Sequence, residues 1–103
     1  MPKHKPQLRV AIDCDETLWM NGPYGVDGVS NPRVLALYHA LKALNCYIIV
    51  WSAGGEAWAR EVCEHCGIAP DEIRDKPEFE RIEKEVDLAI DDCEDLGIVT
   101  LFV

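Results

Sequence analysis

A chain of 103 residues has room for one domain and one core, since domains run to roughly 100–200 residues. Its 49% hydrophobic and 28% charged content is that of an ordinary globular protein, which excludes a disordered or collagen-like chain. The net charge of −9 is uneven: residues 1–51 carry five basic and four acidic residues, residues 52–103 five and fifteen. Such a field disfavours nonspecific binding to duplex nucleic acid or to an anionic membrane. No apolar stretch approaches the ~18 residues of a membrane span. No long apolar run follows the basic start Met1-Pro2-Lys3-His4-Lys5-Pro6, so no secretory signal is expected. Five cysteines, an odd number, point to a reducing cytoplasm rather than a disulfide framework.

Leu8 to Asp13 reads as a short buried strand that ends in an acid. Residues 18–30 hold three glycines, Pro23, Asn21 and two aromatics, the composition of an irregular excursion or tight hairpin. Asn31-Pro32 is a helix start, with Asn as cap and Pro at the first helical position. Val34, Leu37, Tyr38, Leu41 and Leu44 follow at helical spacing. Cys46 to Trp51 is a second buried strand. Gly54-Gly55 opens a second helix, with Trp58, Val62 and Cys66 on one face and Gly67 as its stop. Residues 71–75 form a brief strand or turn. Pro77 opens a third helix with Phe79, Ile82 and Val86 inward. Asp87 to Asp91 and Ile98 to Val103 are further strands. Strands alternating with helices imply parallel βαβ units. Continuous apolar strands imply helices on both faces. The expected fold is therefore a single α/β domain over 1–103, a three-layer α/β/α sandwich around a Rossmann-like parallel sheet.

In such sheets ligands bind at the carboxyl ends of the strands, where strand order reverses. The first strand ends in Asp13-Cys14-Asp15-Glu16-Thr17. The second ends in Trp51-Ser52-Ala53-Gly54-Gly55. The strand 87–91 ends in Asp91-Asp92, and Lys76 precedes the third helix on the same edge. Two like charges 4 Å apart repel by about 4 kcal/mol at an effective dielectric near 20. Several carboxylates sharing one rim therefore need protons or a cation. Mg²⁺ suits the place because it binds one or two carboxylates and keeps sites for water and phosphate oxygens.

Asp13-x-Asp15-x-Thr17 after one apolar strand, Ser52 after another, a lysine, and Asp91-Asp92 after a later strand resemble the four motifs of the haloacid dehalogenase superfamily. The resemblance runs from about Leu8 to Val103. It implies a Mg²⁺-dependent phosphohydrolase acting on a phosphomonoester. Asp13 would be the nucleophile that becomes an aspartyl-phosphate. Asp15 would protonate the leaving oxygen and then activate water. Thr17 would help set the turn after the strand and take part in binding phosphate. Ser52, with the backbone at Ala53 and Gly54, would hold phosphate oxygens. Lys76 would neutralise the nucleophile and the phosphoryl group. Asp91 and Asp92 would hold Mg²⁺ together with the Asp13 carboxylate and the Asp15 carbonyl. Lys84 competes for the lysine role, but falls at the opposite end of the sheet from the acids.

The chain departs from the family pattern in three places. Glu16 stands where many members have Gly, which suggests a different turn or an extra charge. Ser52 replaces the commoner Thr. Only about a dozen residues separate Leu18 from Asn31, so there is no inserted cap domain. A capless site is open, and suits either an exposed phosphate on a macromolecule or a homo-oligomer whose neighbour supplies a lid. Residues 18–30 would be a small flap, in which Trp19 and Tyr24 either stack on substrate or pack the flap on the core.

Other readings compete. A receiver-like or phosphate-binding module uses acids, a hydroxyl and a lysine on a similar sheet, but a receiver places its acid pair first and its phosphoacceptor later. Cys63-Glu64-His65-Cys66 suggests zinc or redox chemistry, yet lacks a second ligand pair and ends a helix instead of starting one. Cys14 and Cys93 each adjoin an expected catalytic acid, a position where oxidation would block the site.

Overall fold

The computed structural model describes residues 7–21, 28–76, 86–92 and 100–102. Strand β1 (Arg9–Asp13) carries Val10, Ala11 and Ile12, none of them exposed. Strands β2 (Trp19–Met20) and β3 (Val29–Ser30) pair antiparallel, which is the hairpin expected over 18–30. Helix α1 (Pro32–Ala43) starts as the sequence indicates: Asn31 Oδ1 accepts from Arg33 N at 3.1 Å, with Pro32 in the first turn. Asn31→Ala is expected to lower stability by about 1 kcal/mol, read from the denaturant midpoint. Leu44 does not extend the apolar stripe. The helix ends before it, Asn45 turns the chain at φ 62°, and Leu44 is left 74% exposed.

Strand β4 (Tyr47–Ser52) is buried from Ile48 onward. Helix α2 (Glu56–Cys66) begins after Gly55, whose φ of 108° favours glycine, and stops at Gly67, φ 68°. Gly55 has no side chain to cap the helix. Asp75, at the end of β5 (Glu72–Asp75), does so from outside: its Oδ1 accepts from Glu56 N at 2.6 Å. Strands β6 (Leu88–Asp91) and β7 (Thr100–Phe102) complete the elements described. The helix expected from Pro77 falls mostly on 77–85, outside the described residues.

Five strands form one parallel sheet in the order β5-β4-β1-β6-β7. The fold is α/β and compatible with a Rossmann-like arrangement. Val10 and Ile12 of β1, Ile48 and Val50 of β4, and Ile90 of β6 share a cluster with Val34, Tyr38, Ala59, Val62 and Cys63. Full burial of each large aliphatic side chain contributes about 1.5–3 kcal/mol. Both described helices therefore cover the same face. The reason is topological: β1, β4 and β5 advance in one direction across the sheet, and right-handed crossovers in one direction stay on one side. Ala11, Ile49, Trp51 and Val86 form the core of the opposite face. No helix among the described residues is long and apolar enough to cross a membrane.

Candidate functional site

The chain starts at β1, steps to β4 and β5 on one side, and returns to β6 and β7 on the other. The reversal lies between β1 and β6, where parallel sheets open a crevice at the carboxyl ends. Asp13 ends β1 and Asp91 ends β6. Carboxylate oxygens of Asp13, Asp91 and Asp92 lie within 4.8 Å of one another. Asp13 is 7% exposed and Asp91 has no exposure, while Asp92 is exposed.

Among the described residues, one ammonium reaches this cluster. Lys76 Nζ donates to Asp91 Oδ2 at 2.7 Å and stands 3.7 Å from Asp13 Oδ1. The backbone sets it there, because Lys76 N donates to Ser52 O at 2.9 Å and so holds the end of β5 against β4. Lys84, the competing lysine, lies outside the described residues. The lysine does not balance the acids. Burial, and then the Asp91 charge, push the Asp13 carboxyl up to about 7, against the opposing pull of Lys76. Asp92 is also raised, by partial burial and by Asp91. All the donors are oxygens, which suits a hard divalent cation better than a soft one.

Asp15 stands apart from that cluster. After Asp13 the chain coils tightly: Cys14 O accepts from Thr17 N at 3.1 Å and from Trp19 N at 2.9 Å. Asp15 Oδ1 accepts from Trp58 Nε1 at 3.1 Å and from Asn21 Nδ2 at 3.3 Å. Glu16 occupies a glycine-type position, at φ 60°. A non-glycine residue there costs roughly 1 kcal/mol. Its carboxylate compensates by accepting from Asn21 N at 3.0 Å, which ties the turn to the hairpin. Thr17 is fully buried, and its Oγ1 has no partner among the described residues.

Ser52 is 1% exposed, and its Oγ accepts from Gly54 N at 2.9 Å. The Gly54 amide is thus committed to the loop itself, leaving the Ser52 hydroxyl proton and the Ala53 amide as donors for an anion. Ala53 and Gly54 are exposed at the rim.

No family model, curated protein or solved structure matches this chain.

Trp19 takes the packing role. It lies partly buried against the core, its ring 5.3 Å from that of His65, and a Cβ on Gly28 would run into its indole. Tyr24 and Cys93 lie outside the described residues. Cys14 and Cys63 are buried, and burial pushes the Cys63 thiol up to about 12 and that of Cys14 higher. Such thiols stay protonated and are poor nucleophiles and ligands. His65 is exposed, 3.8 Å from Glu61. Three contributors went unseen in the sequence: Asn21 read as a turn residue, Trp58 as part of an apolar stripe, and Asp75 as a strand end. Only Trp58 carried a signal, an indole donor one turn after the Ser-Ala-Gly-Gly loop.

Proposed function

We propose that the protein is a Mg²⁺-dependent phosphomonoester hydrolase of the haloacid dehalogenase type, without a cap. The observation that carries this reading is the meeting of Asp13, Asp91, Asp92 and Lys76 at the sheet's switch point. The same reading includes the three-layer α/β/α sandwich expected from the sequence.

In this reading Asp13 attacks phosphorus, and the bond from phosphorus to the ester oxygen breaks as Asp15 gives that oxygen its proton. Asp15 then takes a proton from water, which attacks the aspartyl-phosphate and frees phosphate and the Asp13 carboxylate. Lys76 holds positive charge beside the nucleophile throughout. The Ser52 hydroxyl and Ala53 amide hold phosphate oxygens. The carboxylates of Asp13, Asp91 and Asp92, with the Asp15 carbonyl, would hold Mg²⁺, which when bound supplies charge to stabilise the transferring phosphoryl group. The substrate class is a small phosphomonoester or an exposed phosphate on a macromolecule, and the setting is the cytoplasm.

The test is release of phosphate from an aryl phosphate with and without Mg²⁺. Asp13→Asn is expected to lower the rate at least about 10³-fold. Asp15→Asn is expected to lower it about 10²–10⁴-fold. Binding of phosphate without turnover in the wild type, with any divalent cation, would favour a phosphate-binding module instead.

A further inference from the structure

Trp58 stands near the start of α2 on its inward stripe, and its ring packs partly against the core. Its nitrogen reaches beyond the core, donating to Asp15 Oδ1 at 3.1 Å across 43 positions of sequence. Asn21, just past β2 in the hairpin, donates to the same oxygen at 3.3 Å. Among the described residues no side-chain donor reaches Oδ2. The indole is also seated from below. A Cβ on Gly54 would come 3.3 Å from Trp58 Cδ1 and 3.2 Å from Ser52 Oγ, so the loop leaves its room to the ring.

A carboxyl oxygen that already accepts two N–H bonds has no place for a proton of its own. Oδ2 is then the oxygen left open to a substrate. We propose that Trp58, with Asn21, is a positioning residue that fixes Oδ2 as the oxygen of Asp15 facing the leaving group. The proposal rests on the phosphomonoesterase reading. In that step the Asp13–phosphorus bond forms, the phosphorus–ester oxygen bond breaks, and the proton on Asp15 Oδ2 passes to the departing oxygen.

The consequence is a dependence on the leaving group. An alkoxide is a poor leaving group and needs the proton, whereas a dinitrophenolate leaves without it. Trp58→Phe keeps a ring on Gly54 and removes the donor. It is expected to lower kcat/KM for glycerol phosphate about 10–100-fold. For dinitrophenyl phosphate the loss is expected to stay under about 3-fold. A second measurement needs no turnover. In metal-free protein, Asp15→Ala is expected to move the indole N–H resonance of Trp58, assigned by its absence in Trp58→Phe. The Trp51 resonance is expected to stay, since its Nε1 is buried without a partner among the described residues. Equal losses on the two esters, or an unmoved Trp58 resonance, overturn the proposal and leave the phosphatase reading standing. A wild type that hydrolyses neither ester overturns both.

Discussion

Asp13→Asn is expected to make the metal-free protein more stable at pH 8, by up to about 4 kcal/mol. The sign follows from the direction of the shift. The Asp13 carboxyl titrates at about 7 in the folded chain and at 3.8 as an unperturbed group. Below 3.8 both states hold the proton and the group contributes nothing. Between 3.8 and about 7 the folded state keeps a proton that the unfolded state releases, so stability falls as pH rises. Above 7 the full cost is present. The wild type should therefore be more stable near pH 5 than near pH 8, and Asp13→Asn should flatten that slope. Mg²⁺ should stabilise the wild type at pH 8 and do little for the variant. Denaturant melts at the two pH values check this; a variant no more stable than wild type at pH 8 would refute it.

Lys76→Met has the opposite sign. It removes the cation 2.7 Å from Asp91, a carboxylate with no exposure, and 3.7 Å from Asp13. Breaking a buried pair from one side costs about 3–5 kcal/mol. A domain of this size has only about 5–15 kcal/mol of stability, so the variant should melt near the edge of folding. Adding Asp91→Asn to Lys76→Met is expected to recover most of the loss, because the stranded charge goes with it. A double variant as unstable as the single would show that the lysine acts through the packing of its stem.

The sheet's strands were legible because parallel strands are continuous apolar runs: Val10 to Ile12, Ile48 to Trp51 and Ala89 to Ile90 appear as buried strands where the pattern put them. Asn31-Pro32 and Gly67 marked helix ends through backbone rules that act locally. Local rules fail at Leu44, where spacing continues the stripe but Asn45 has already turned the chain. Strand order is set by long-range pairing and leaves no local trace, so the side on which α1 and α2 lie became clear only with the topology. The acids and Lys76 were legible because ionisable groups at strand ends are few. Their partners were not: an indole in an apolar stripe looks like core whether or not its N–H is used, and Asn21 looks like any turn residue.

The sheet order has a consequence for how the chain assembles. β1 comes first in the sequence but sits in the middle, and Arg9 N donates to Asp87 Oδ2, 78 positions later. β1, β4 and β5 with both described helices precede β6 in the chain, and only Ile90 of their shared buried core comes from β6. The three aspartates meet only when β6 docks, so their repulsion falls on that late step. In the finished protein the same repulsion is expected to weaken the hold of β6 on β1 as pH rises, so that amide exchange begins there before it reaches β4. A divalent cation among those carboxylates would fasten the later half of the sheet to the earlier one.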